Sequence, residues 1–185
     1  MIPSIEKCLY FMDKYRMLVN IKAHSIMVGK VANLIARRLR NAGIDISVEK
    51  AVSGALMHDI GKTISLKSGG NHAEIGRQIC IENHLDEIAD IVGEHVILSS
   101  YSFSGPYTEK EIVYYSDKRV NHDKIVTLEE RLAYILERYG KKQESLCLRI
   151  RKNFELCESV QKKLFLKLDF EPESLFQLGN NEKFY

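Results

Sequence analysis

The sequence predicts an all-α fold, and three observations carry that prediction. Apolar residues recur at steps of three and four in segment after segment, as in Leu128, Leu132, Ile135 and Leu136. Residues that cap helices stand at the segment starts, among them Ser4, Ser47, Asn71, Thr108 and Thr127. No stretch reads as a clear strand, and no internal repeat is present. With 185 residues, 45% hydrophobic and 28% charged, the chain has enough apolar material for one domain with a sizeable core.

Taken in order, Ser4 caps a first helix expected to run to about Leu18, with Ile5, Leu9, Met12 and Tyr15 or Arg16 as its apolar stripe. A second, over about 21–42, aligns His24 with Val31 and Leu39, sets Arg37, Arg38 and Arg40 largely opposite, and is ended by Gly43. A third, capped by Ser47, runs through Ala51, Val52, Ala55 and Leu56 to His58 and Asp59, where Gly61 is expected to close it in the left-handed conformation. The serines and glycines of 62–70 read as a flexible loop. Asn71 caps a helix that begins at His72, and a short helix from Asp86 ends at His95. A polar loop over 98–107 precedes a helix over about 109–121, with Asp117 on its apolar face. An amphipathic helix ended by Gly140 and a final helix over about 143–168 complete the chain.

Composition excludes several classes. The net charge of +2 is too small to argue for a nucleic-acid protein. The basic run Lys141, Lys142, Arg149, Arg151, Lys152, Lys162, Lys163 and Lys167 is interleaved with Leu and Phe at helical spacing, and reads as a solvated outer face rather than a nucleic-acid surface. Cys8, Cys80, Cys147 and Cys157 form no CxxC pair and fall in predicted helices, so reduced thiols of a cytoplasmic protein are expected. The first twenty residues lack the apolar core of a signal peptide, and no apolar run approaches the ~20 residues of a membrane span.

The chemistry-bearing residues form a set. A His-Asp pair is weak evidence alone and occurs twice; His122-Asp123 lies in a polar junction that a solvated turn explains. His58-Asp59 instead ends a buried helical face. His24, His58, Asp59, His72, His95 and Asp117 each fall on an apolar helix face or at a helix end. Imidazoles and carboxylates together suit Fe, Mn, Zn, Ni or Co, and Asp59 can bridge two ions. Singly, each has a plainer explanation, such as a hydrogen-bonded core histidine or a helix-terminal charge. Lys62, just past Gly61, can reach back over the site and offers a point charge for phosphate. Tyr101, Phe103 and Tyr107 could stack a base or anchor their loop. His84 reads as a solvated helix end.

His58-Asp59-Ile60-Gly61-Lys62 resembles the signature of the HD superfamily of metal-dependent phosphohydrolases, in its HDIG subgroup. His24 and Asp117 complete that family's H…HD…D metal set, and His72 and His95 correspond to the extra histidines of members with two metals. The resemblance covers about 20–139. It departs from members that hydrolyse cyclic di-GMP, since the chain has Gly93-Glu94-His95 and Ser104-Gly105-Pro106-Tyr107 where those carry His-His-Glu and Gly-Tyr-Pro.

The resemblance implies a helical bundle, residues 1–140, with a C-terminal helical extension over 141–185 packed on it. It implies one or two divalent transition metal ions on His24, His58, Asp59, His72, His95 and Asp117, with Asp59 as hub and Lys62 meeting the substrate's phosphate. The expected activity is hydrolysis of a nucleotide or related phosphate ester or anhydride; the expected partner is a small-molecule phosphate, not a membrane or a nucleic acid. Two other classes compete: a metal- and nucleotide-binding regulatory module without turnover, and a helical adaptor whose histidines are structural.

Overall fold

The computed structural model describes residues 1–140 and 143–184, and is helical apart from one short hairpin. Its elements are α1 (Ile5–Lys14), α2 (Val19–Asn41), α3 (Val48–Met57), α4 (Lys62–Ser68), α5 (His72–Glu82), α6 (Asp86–Glu94) and α7 (Glu109–Lys118). The hairpin β1 (Val120–Asn121) and β2 (Lys124–Ile125) follows, then α8 (Leu128–Tyr139), α9 (Glu144–Phe165), a 3-10 turn (Pro172–Ser174) and α10 (Leu175–Asn181). Ser4, Ser47, Asn71, Thr108 and Thr127 each accept a backbone N–H of the helix they precede, and Thr108 and Thr127 form full capping boxes with Glu111 and Glu130.

α2 is the axis of the bundle. Val28, Val31, Ala32, Ile35 and Leu39 are wholly buried on it, against Ala51, Ala55, Leu56 and Met57 of α3 and Ile112 and Val113 of α7. Each large aliphatic side chain removed from water in this way contributes about 1.5–3 kcal/mol. α5 and α6 form an antiparallel pair whose second member packs on α3. α9 lies across α7 and α8, adding Phe154, Cys157, Val160 and Leu164 to the same continuous core. The buried thiols of Cys8, Cys80 and Cys157 are pushed up to about 12 by burial, and all four cysteines are free. No described helix is long and apolar enough to cross a membrane.

Several expectations are corrected. Residues 62–70 are not a loop: α4 occupies Lys62–Ser68 and packs on α5, and Gly69 and Gly70 lie beyond its end. The left-handed residue is Gly69 (φ 76°), whereas Gly61 is right-handed (φ −79°, ψ −10°). Gly61 is needed for a different reason, since a Cβ there would lie 2.3 Å from the carbonyl oxygen of His72 and 2.6 Å from the amide of Gly76. α3 ends at Met57, so His58 is its C-cap and Asp59 lies in the tight turn beyond it. α1 ends at Lys14 and buries Cys8, Phe11 and Met12, a stripe rotated from the expected one. α7 ends at Lys118, because Val120 and Asn121 pair with Ile125 and Lys124; two residues per strand are too few to show alternation in sequence. α9 ends at Phe165 and leaves Leu148 55% exposed. α10, absent from the sequence reading, is short and ends in Gly179-Asn180-Asn181.

The basic run is not uniformly solvated either. Lys163 is 1% exposed and donates to the carbonyls of Ser102 and Pro106 and to Glu111 Oε1 at 2.6 Å. Lys141 and Lys142, its first two residues, lie outside the described residues.

Candidate metal centre

Five helices and the turn that follows one of them bring the six residues together. His24 comes from the second turn of α2, His58 and Asp59 from the end of α3, His72 from the first residue of α5, His95 from the C-cap of α6 and Asp117 from the last turn of α7. The close approach allowed by Gly61 is what sets the start of α5, and so His72, against the Asp59 turn. The rings of His24, His58, His95 and His72 follow one another edge to face, with centroids 5.3, 4.9 and 5.1 Å apart.

Three imidazoles are held by backbone carbonyls. His58 Nδ1 lies 2.6 Å from the Ala55 carbonyl oxygen, His95 Nδ1 2.6 Å from that of Val92, and His24 Nδ1 2.8 Å from that of His122. A carbonyl only accepts, so each Nδ1 carries a proton and each ring turns its Nε2 the other way. Those Nε2 atoms face carboxylate oxygens. His24 Nε2 is 3.0 Å from Asp117 Oδ1, and His58 Nε2 is 3.5 Å from Asp59 Oδ2 and 3.7 Å from Asp117 Oδ1. His72 Nε2 and His95 Nε2 are 3.4 and 3.6 Å from Asp59 Oδ1 and 3.1 Å from each other. His58 Nε2 and Asp59 Oδ1 are buried without a hydrogen-bond partner. A buried polar atom without a partner costs energy, and a cation held between these nitrogens and oxygens would satisfy both.

The electrostatics agree. Burial works against the charge on Asp59, yet His58, His95 and Lys62 outweigh it and hold the carboxyl well below the usual range. For Asp117, burial is likewise outweighed by His24, Lys118 and His58. Burial, reinforced by His95, pushes His72 down to about 4. Lys62 donates from Nζ to Asp59 Oδ2 at 2.7 Å; the carboxylate overcomes burial and keeps the ammonium above its ordinary value.

Ligand atoms of His24, His58 and Asp59 lie within 4.8 Å of one another, as do those of Asp59, His72 and His95. Asp59 belongs to both groups, one oxygen turned to each, and Asp117 Oδ1 adjoins the first. The donors, imidazole nitrogen and carboxylate oxygen, fit divalent transition metals, and the carbonyls behind the rings are the outer hydrogen bonds that such ligands require.

Sequence reasoning missed what surrounds the ligands. Lys118, 4% exposed, donates to the carbonyls of His95 (2.9 Å) and Tyr114 (3.3 Å), tying the end of α6 to α7. His122-Asp123 is the expected polar turn, yet its backbone holds His24. The far wall of the cleft, about 510 Å³, is α8 with Arg131, Tyr134, Arg138 and Tyr139. Their spacing along one helical face was the available signal, obscured by the apolar stripe beside it. Tyr101 and Tyr107 anchor their loop, bonding Ser159 Oγ and the Lys163 carbonyl at 3.0 Å each, and neither lines this cleft. His84 is exposed.

Residues 21–159 match the HD domain family. The chain belongs to that family. Its HD domain match runs into α9, past the limit near 139 set by the motif resemblance. HD domains bind divalent metals and form a family of metal-dependent phosphohydrolases. Among curated relatives, Ribonuclease Y of Mycoplasma capricolum subsp. capricolum is 39% identical over 105 residues, covering 47% of this chain and 19% of that protein. Ribonuclease Y of Fervidobacterium nodosum is 38% identical over 77 residues (41% and 14%), and that of Treponema pallidum 36% over 88 residues (47% and 16%). The HD domain chain thus matches less than a fifth of the length of these relatives. No solved structure matches it.

Proposed function

We propose that the chain is a metal-dependent phosphohydrolase that cleaves a phosphate ester of a nucleotide or nucleotide chain. One observation carries this reading: histidines locked by backbone carbonyls turn their Nε2 atoms toward two carboxylates at the floor of a cleft. His24, His58, Asp59 and Asp117 would hold one ion, and Asp59, His72 and His95 a second. When bound, such ions supply Lewis-acid charge at a phosphoryl oxygen and acidify water.

The rest is the work of this chain's side chains. Asp59 spans both positions. Lys62, part exposed to the cleft, has two N–H donors left after its bond to Asp59 and directs them at a phosphate. Ala55, Val92 and His122 keep the imidazoles aligned throughout. The Ribonuclease Y relatives favour a phosphodiester over an anhydride within this reading.

The test is metal analysis of protein purified without a chelating column, followed by hydrolysis of bis(p-nitrophenyl) phosphate with added manganese. Bound transition metal and nitrophenol release, both lost in Asp59→Asn, are expected. Native protein that binds metal but turns over neither this ester nor a nucleotide panel would make the chain a regulatory module instead.

A further inference from the structure

We propose that α8 forms a subsite for the nucleotide adjoining the cleaved phosphate, making a single-stranded oligonucleotide the preferred ligand over a mononucleotide; this rests on the phosphohydrolase reading. Arg131, Tyr134 and Arg138 stand at i, i+3 and i+7 and share a face, with Tyr139 next to Arg138. That face looks across the cleft at His24, Asp59, His72, His95 and Asp117. The Arg131 guanidinium lies 5.7 Å from the Tyr134 ring centroid, Arg138 Nη1 donates to Tyr134 Oη at 3.2 Å, and the Arg138 guanidinium lies 5.7 Å from the Tyr139 centroid. The wall alternates cation, ring, cation, ring.

Two further features point to an anionic ligand. Arg131 spends Nη1 on Asn121 Oδ1 at 2.9 Å, but its Nε is buried and has no partner. Among the described residues lining the cleft, Asp59 and Asp117 are the only carboxylates, and both are turned to the metal positions. The arginines therefore have no acidic counterpart among the residues lining the cleft, and an anionic ligand would supply one.

Length then selects the ligand. Seven residues of helix separate the two arginines by about 10.5 Å. A mononucleotide with its phosphate over Asp59 cannot also serve both. A strand carries the next base to the tyrosines and the next phosphate to the second arginine. Positive charge interleaved with aromatic rings is how proteins hold unpaired strands, whose bases are free to stack. This surface is distinct from the basic run of α9, on which the nucleic-acid reading was set aside.

The experiment is a fluorescence-anisotropy titration of manganese-loaded full chain with a fluorescein-labelled hexanucleotide, in ribose and deoxyribose forms, with probe integrity checked on a gel. The hexanucleotide is expected to bind about 10-fold or more tighter than a nucleoside monophosphate or triphosphate competitor, and tighter than the same sequence in a duplex. Arg138 is exposed, so Arg138→Ala should fold normally and weaken the hexanucleotide about 10-fold. Tyr139→Ala should weaken it about 5-fold, with Tyr139→Phe restoring it. Arg149→Ala, an exposed cation on α9, should bind like wild type. Equal affinity for hexanucleotide and either mononucleotide, no loss in Arg138→Ala, or an equal loss in Arg149→Ala overturns the subsite. Bis(p-nitrophenyl) phosphate carries no second phosphate and no base, so its hydrolysis without strand preference sinks the subsite alone, whereas no hydrolysis sinks the underlying chemistry.

Discussion

Lys62 shows how a residue's role changes when its partner is known. The sequence places it near the site as a cation for substrate, and the structure adds a 2.7 Å bond to the buried carboxylate that both metal positions share. Removing it therefore acts twice, with opposite signs. A hydrogen bond to a charged group contributes about 1.5–3 kcal/mol, so Lys62→Ala should lower kcat/KM by roughly 10- to 150-fold. Asp59 meanwhile loses a competing cation, so metal affinity should hold or rise, read by titration against a metal-sensitive dye. Wild-type kinetics in Lys62→Ala would return the side chain to solvent. The clustering of Asp59 with His24, His58, His72, His95 and Asp117 was legible because candidate ligands are side chains with a narrow chemistry, placed by helical periodicity. Arg131, Tyr134 and Arg138 were not, since an arginine or tyrosine on an amphipathic helix has the same signature in water as in a cleft. Lys163 failed in the opposite direction: only tertiary contacts show that Glu111 and two carbonyls await it.

At the scale of elements, helix starts were legible and helix ends less so. A cap is a local bond between neighbours in sequence, which is why Ser47, Asn71 and Thr108 mark their helices. An end depends on what the chain meets next: α3 stops at Met57, short of the Gly61 expected to close it, and Gly61 instead precedes α4. The role of Gly61 is steric, and this yields a prediction. A Cβ at 2.3 Å from the His72 carbonyl meets backbone that cannot rotate away, so Gly61→Ala should cost at least the ~3 kcal/mol upper range of overpacking. In a chain of this size that is roughly a 5–10 °C fall in Tm. α5 would have to retreat and carry His72 with it, so metal stoichiometry should fall toward one per chain. Retention of two ions with an unchanged Tm would show that the α4–α5 contact is slack.

For the whole molecule, metal held at the proposed positions would act as a stability device as well as a chemical one. Ligand at 100 times its Kd stabilises a folded protein by about 2.7 kcal/mol, so chelation should lower Tm by roughly 5–10 °C, restored by added metal and followed by calorimetry. The stripped protein should also be acid-sensitive. His72 falls from 6.5 to about 4 on folding, so between those values the unfolded chain binds a proton that the folded chain refuses. The stabilisation is complete above pH 6.5 and gone by about pH 4, a change on the order of 3 kcal/mol that His72→Ala should flatten. A Tm of the stripped wild type that stays level across that window would contradict it. Finally, the rings of His24, His58 and His95 are aimed by the carbonyls of His122, Ala55 and Val92, and every amino acid owns a carbonyl. The aiming depends on the path of the main chain, while the side chains of Ala55 and Val92 answer to the core they pack in. At 122, where φ is 55°, drift to asparagine or glycine would be silent while drift to valine would misaim a ligand. The residue at 122 can thus be rewritten, within that backbone limit, and still aim His24.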